Sequence, residues 1–213
     1  MNRPEDFRFG SVGKPITNAI FKIADDGEIL IKSKNVMKEY YKNPEETQKA
    51  FQGDFFCTGD IGHLDDQGYL VITDRKKDLI KTSGGKYVAP QKLENLLKLS
   101  PYISQVHVYG DKQKYIVCLV TLNEDNVLQF AKSIGLNTHE LEELKQHSEI
   151  KKLINSEIKA VNKKLASYET IKRHSILAKD FTVESGELTP SLKIKRKVIN
   201  EKYKEELHKL YAS

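Results

Sequence analysis

Short apolar runs broken by aspartate and glycine fill the first third of the chain. Residues 18–23 and 28–31 flank Ala24-Asp25-Asp26-Gly27, and residues 61–64 and 69–73 flank Asp65-Asp66-Gln67-Gly68, which predicts two hairpins. Between them, residues 44–51 form a helical candidate with Asn43 as its cap. After Asp74 the pattern changes. The charged run Arg75-Lys76-Lys77-Asp78 interrupts the β segments and reads as a domain boundary. A short strand at 87–89 follows, then a helix from Pro90 to about residue 99, and strands at 106–109 and 115–122 pairing across Asp111-Lys112-Gln113-Lys114. Ile150, Leu153, Ile154, Ile158, Val161 and Leu165 step by three or four, marking an amphipathic helix whose other face carries lysines. Ile194, Val198, Tyr203, Leu207 and Leu210 repeat this spacing near the end. The expected fold class is α+β: a β-rich piece over residues 1–76, then an α+β domain over residues 77–213 with a few strands covered by helices.

Composition narrows the class. A chain of 213 residues that is 38% hydrophobic and 31% charged can bury a real core, so wholesale disorder is excluded. No apolar run reaches the roughly 18 residues of a membrane-spanning helix, and residues 1–10 lack an apolar signal core. Cys57 and Cys118 stand far apart without metal-ligand spacing, so neither a disulfide framework nor a metal site is expected, and a cytoplasmic location is. The net charge of +5 is unevenly placed: from Lys145 onward sixteen Lys and Arg meet nine Asp and Glu. Such a basic third suits nucleic acid, an anionic membrane or a phosphorylated small molecule, and the motifs have to choose.

Four segments carry candidate chemistry. Thr58-Gly59-Asp60 opens a strand after Phe55-Phe56, so the Asp60 carboxylate would stand beside a glycine that permits close ligand approach and could accept both hydroxyls of a ribose; Gly-Asp there is otherwise a turn. Arg75 has the planar fork suited to a ribose or phosphate, although charge runs of this kind are usually solvated. Thr82-Ser83-Gly84-Gly85-Lys86 reads as a hairpin turn or as a narrow passage along which a substrate arm can run against the backbone. Ser191-Leu192-Lys193-Ile194-Lys195-Arg196-Lys197 is a basic helix start, or a loop that presents one ammonium to a reacting carboxylate or phosphate.

Taken in order, Gly-Glu-Ile-Leu-Ile at 27–31, Thr-Gly-Asp at 58–60, Asp-Arg-Lys-Lys-Asp at 74–78, Ser-Gly-Gly-Lys at 83–86 and Leu-Lys-Ile-Lys-Arg at 192–196 resemble the carboxyl-terminal part of the adenylate-forming superfamily. The run from Lys77 to Pro90, with Leu188-Thr189-Pro190, is most similar to long-chain fatty-acid CoA ligases. The resemblance implies the last β subdomain of the large AMP-binding domain over residues 1–76 and the small mobile C-terminal domain over residues 77–213. It further implies that a fatty acid and MgATP give an acyl-adenylate, from which CoA displaces AMP.

Carried over by position, the resemblance makes Asp60 the ribose-binding carboxylate, Arg75 its companion and Lys77 the hinge. Gly84 lies beside the pantetheine passage, Lys86 near a CoA phosphate, and Lys81 matches a lysine of the second step. Lys193 matches the lysine that bridges carboxylate and α-phosphate during adenylation. The glycine usual before that lysine is Leu192 here, and Lys195 stands two residues on as the other register. The family's phosphate loop, adenine-binding segment and magnesium-associated Thr-Glu are not among these residues. The expectation is therefore a fragment that is inactive by itself, with exposed apolar edges through which it self-associates. Expected partners are fatty acid, ATP and CoA, with Mg2+ held mainly by the upstream part, no nucleic acid, and peripheral membrane contact left open. The alternatives are a ligase of an aryl, short-chain or amino acid and, from the basic third, a nucleic-acid or membrane-binding module.

Overall fold

Two units, Met1–Leu79 and Ile80–Ser213, make up the chain in a computed structural model that describes every residue except Asn137, His139 and Ser213. Ser213, the last residue of the expected second domain, thus lies outside the described residues.

The first unit contains β1 (Ala19–Ile23), β2 (Glu28–Ser33), α1 (Pro44–Lys49), β3 (Phe51–Gln52), β4 (Phe55–Leu64) and β5 (Leu70–Arg75). All strand pairs are antiparallel, and β4 is the axis: β2 lies along one side of it, β3 and β5 along the other. Both expected hairpins form for local reasons. In the first, Gly27 at φ +85° donates its N–H to Ala24 O at 2.8 Å. In the second, Asp65 Oδ1 accepts the N–H groups of Gln67 and Tyr69 at 2.9 and 3.0 Å, an aspartate turn that sets the register of β4 on β5. Gly62 lets those strands close, since a Cβ there would lie 2.3 Å from Val71 O. A single 3₁₀ turn, Lys76–Asp78, follows β5.

The second unit opens with β6 (Ile80–Lys81) and β7 (Tyr87–Val88), which pair, and α2 (Pro90–Leu97). Then come β8 (Ile103–Tyr109), β9 (Ile116–Leu122), α3 (Glu124–Ser133), α4 (Leu141–Leu144), α5 (Ser148–Asn162), β10 (Ile171–Leu177), α6 (Arg196–Lys202) and α7 (Lys204–Lys209). The sheet runs β10-β9-β8, with β8 antiparallel and β10 parallel to β9. Every residue of β9 is buried because both faces are covered. Ile116, Cys118 and Val120 pack with Leu93, Leu97, Val127, Ile150, Ile154 and Ile158 on one face. Val117 and Leu119 pack with Leu177, Phe181, Leu188, Ile199 and Leu207 on the other. Each such side chain contributes about 2 kcal/mol through removal from water. No helix among the described residues is long and apolar enough to cross a membrane.

The elements depart from expectation where packing overrides local pattern. The first helix ends at Lys49, and Phe51 instead joins β3 opposite Phe56. The helix from Pro90 stops at Leu97, leaving Leu99 exposed. Leu165 falls beyond α5. The last apolar repeat is two helices broken at Tyr203, and in the first of them Ile199, not Val198, is buried. Strand β10 and helix α3 add to the elements expected from sequence.

Candidate functional site

In the first unit, Asp60 and Arg75 are register partners on β4 and β5, and the Arg75 Nε lies 2.8 Å from Asp60 Oδ1. The guanidinium also donates to Thr58 O at 3.4 Å. Asp60 Oδ2 accepts from no described residue. The bend beneath the pair is built by Gly59, whose φ of +70° is left-handed. Its N–H donates to Glu28 Oε1 at 2.9 Å, while Thr58 Oγ1 donates to Ile29 O at 2.7 Å and accepts the Asp60 N–H at 3.1 Å.

Glu28 was not singled out from sequence, and it is the support of this bend. Its side chain is 8% exposed, and its Oε2 receives Lys76 Nζ at 2.7 Å, the same ammonium that meets Asp26 Oδ2 at 2.7 Å. The Asp26 and Glu28 carboxylates raise the Lys76 ammonium well above the usual lysine range. In the sequence Glu28 stands out only as part of the Gly-Glu-Ile-Leu-Ile run at the start of a strand, where binding and turn chemistry look alike. Lys77, the expected hinge residue, is exposed in the 3₁₀ turn.

In the second unit, Lys81, Gly84 and Lys86 belong to one hairpin turn. Thr82, nearly buried, braces it: Thr82 N–H donates to Lys86 O at 3.0 Å, and Lys86 N–H donates to Thr82 Oγ1 at 3.2 Å. Ser83 N–H reaches Gln113 O at 2.9 Å, so the turn leans on the β8–β9 connection. A Cβ at Gly84 would lie 4.0 Å from Thr82 Oγ1, and one at Gly85 would meet nothing within 4 Å. The glycines therefore face open space instead of protein. Lys81 Nζ lies 5.4 Å from the Tyr87 ring centroid, and Lys86 Nζ 5.9 Å from that of Tyr168.

Lys193 stands in a second hairpin, spanning Leu188, Thr189 and Ile194, separate from the first. Leu192 N–H donates to Thr189 O at 2.8 Å, and Lys195 N–H donates to Glu187 O at 2.8 Å. Both Lys193 and Lys195 are exposed. Glu187 anchors the base. Its side chain is 1% exposed and accepts Lys202 Nζ at 2.7 Å, Tyr203 Oη at 2.9 Å, Thr182 N–H at 3.2 Å and the Ser185 hydroxyl. Burial pushes its carboxyl up, but these donors, Lys202 first, outweigh it and hold it below the usual glutamate range.

An aspartate–arginine pair across a glycine bend, a double-glycine turn and a lysine hairpin follow one another along this fold in the order expected of the carboxyl-terminal region of an adenylate-forming enzyme. Residues 77–213 match the AMP-binding enzyme C-terminal domain, and the chain belongs to that family. The long-chain-fatty-acid–CoA ligase FadD15 of Mycobacterium tuberculosis is 38% identical over 97% of this chain and 34% of its own length. Long-chain-fatty-acid–CoA ligase 5 of Rattus norvegicus is 36% identical over 99% of this chain and 33% of its own. The chain thus spans about a third of the length of these relatives. Among solved structures, the adenylation domain of a carboxylate reductase from Mycobacterium chelonae superposes with a TM-score of 0.70 at 29% identity, over 98% of this chain and 33% of that one.

Proposed function

We propose that the chain supplies the ribose-holding strand pair and the mobile carboxyl-terminal domain of an ATP-dependent long-chain fatty-acid CoA ligase. The observation that carries this reading is the Asp60–Arg75 pair, two residues expected at one ribose and found 2.8 Å apart beside the Gly59 bend. With Oδ1 engaged by Arg75, Asp60 is oriented, and Oδ2 is left as the acceptor for ribose hydroxyls.

In the first step Lys193 lies against the fatty-acid carboxylate and the ATP α-phosphate. Its ammonium offsets the repulsion between two anions and the charge that builds as the carboxylate attacks and pyrophosphate leaves. In the second step the CoA pantetheine passes along the open face of Gly84, the thiol attacks the acyl carbonyl, and AMP leaves. Lys86 is placed on the same turn for a CoA phosphate, and Lys81 remains a candidate for this step. Lys77 is the hinge between residues 1–76 and 77–213. Mg2+ would accompany ATP, held mainly by the upstream part of the ligase.

The test joins this chain to the upstream part of the ligase and measures fatty-acid-dependent ATP–pyrophosphate exchange, then acyl-CoA release. Activity with long-chain acids and not with aryl or short-chain acids supports the reading. Exchange driven by aryl acids alone would move the enzyme to another carboxylate while keeping the same two steps.

A further inference from the structure

Helix α6 begins at Arg196, directly after the lysine hairpin, and its own sequence opposes that start. Lys195, Arg196 and Lys197 crowd positive charge at the positive end of the helix dipole, the first turn holds no acidic residue, and Lys195 makes no side-chain cap. What holds the start comes from elsewhere. Arg196, the first residue of α6, forks onto Glu94 of α2, with distances of 2.7 and 2.8 Å to the two carboxylate oxygens. The pair is nearly dry, its side chains 19% and 6% exposed. Glu94 Oε1 also accepts the Val108 N–H of β8 at 2.9 Å, which fixes the carboxylate to the sheet. One turn further along α6, Asn200 Oδ1 meets His107 Nε2 of β8 at 2.7 Å.

The hairpin and the helix share their backbone. Lys195 N–H ends the hairpin on Glu187 O, and Lys195 O accepts the Ile199 N–H as the first helical bond, at 3.2 Å. A shift of Arg196 therefore moves Lys195 and, with it, Lys193. We propose that Glu94 is a positioning residue for Lys193: by forking Arg196 it fixes the origin of α6 and so the place from which the ammonium reaches the reacting carboxylate. This rests on the role proposed above for Lys193. The alternative is that the pair only stabilises the fold, as buried ion pairs that are hydrogen-bonded can without touching function.

Two measurements separate these. The first uses the complete ligase carrying this chain. Arg196→Lys keeps the charge and loses the fork, and it should lower the rate of pyrophosphate exchange by about tenfold, with KM for ATP nearly unchanged. Repeated in a Lys193→Ala background, Arg196→Lys should add no further loss, because its effect acts through the ammonium already removed. An equal loss in both backgrounds, or no loss in either, overturns the proposal. Glu94→Gln/Arg196→Gln, which leaves neither charge orphaned in the core, should reproduce the same pattern.

The second uses the 213-residue chain by itself. Amide exchange should accelerate at Leu192, Lys193 and Lys195 in Arg196→Lys while the amides of β9 stay protected. Hairpin protection equal to that of the parent chain also overturns the proposal. A complete enzyme with no exchange activity before mutation would instead remove the ligase reading, and the amide experiment would then decide alone whether Glu94 positions the hairpin.

Discussion

Thr189 grips Lys193 from both sides: its N–H donates to Lys193 O at 2.8 Å, and its Oγ1 accepts the Lys193 N–H at 3.0 Å. This closure forces the residue between them and the lysine, Leu192, to a φ of +58°, a left-handed conformation that glycine adopts without cost and leucine does not. The family's glycine at this position thus has a physical reason, and this chain keeps the turn without it.

Leu192→Gly should be more stable than Leu192→Ala by about 0.5–1 kcal/mol, since the left-handed penalty of about 1–2 kcal/mol exceeds the extra unfolded-state freedom of glycine. Leu192 is 64% exposed, so lost burial is minor in both variants. Urea unfolding of the pair measures the difference. Equal midpoints would mean that the turn relaxes around alanine.

Asp60→Ala in the complete enzyme should weaken ATP binding about ten- to a hundredfold, the range for hydrogen bonds to a charged group, and slow adenylation with it. Direct titration with ATP is the measurement. Unchanged affinity would take Asp60 out of the site.

Lys193→Ala and Gly84→Leu should be mirror images. The first removes a preorganised charge and should slow acyl-adenylate formation by about two to three powers of ten while sparing thioester formation from supplied acyl-adenylate. The second should do the reverse, because a Cβ at Gly84 meets nothing closer than Thr82 Oγ1 at 4.0 Å, and a leucine built from there would stand in the passage proposed for the thiol arm. Pyrophosphate exchange and acyl-CoA release read the two steps. A first-step defect in Lys195→Ala but not in Lys193→Ala would shift the assignment by two residues.

Between pH 7 and 5 the chain should lose stability, with His107 a main cause. Burial, with the Arg196 guanidinium nearby, drives its pKa down to about 4, although the bond to Asn200 works the other way. Neutral in the folded chain and protonated in the unfolded one below its ordinary 6.5, His107 contributes stability that is complete above that pH. The contribution is lost as pH falls toward 4, at most about 3 kcal/mol in all. His174, also lowered by burial, acts in the same direction. His107→Gln should flatten the dependence between pH 5 and 7, a range above the windows of the lowered carboxyls Asp26 and Glu187. A slope identical to that of the parent chain would assign the loss elsewhere.

Gly62→Ala should destabilise the first unit by more than 2 kcal/mol, about the upper range of ordinary overpacking, because the added methyl meets a backbone carbonyl of β5 that cannot rotate away. Amide exchange across β4 and β5 reports it. Protection equal to that of the parent chain would show that the strands have room.

Sequence alone determined what neighbours in the chain decide between themselves. The Asp65 and Gly27 turns close within four residues, so their hairpins were legible, as were the α5 stripe of Ile150, Ile154 and Ile158 and the order of motifs from Gly59 to Lys193. The tertiary structure decided whatever depends on a partner far along the chain. Strand β10 carries polar and basic residues from Lys172 to Ser175 and becomes a strand because β9 offers it a parallel edge. Leu165 fits the helical period and still falls outside α5. Glu28 supports the Gly59 bend across 31 residues, and Arg196 finds Glu94 across 102. Periodicity records which face of an element is apolar, and only packing settles which buried carboxylate meets which cation, because that choice depends on where two distant backbones come to rest.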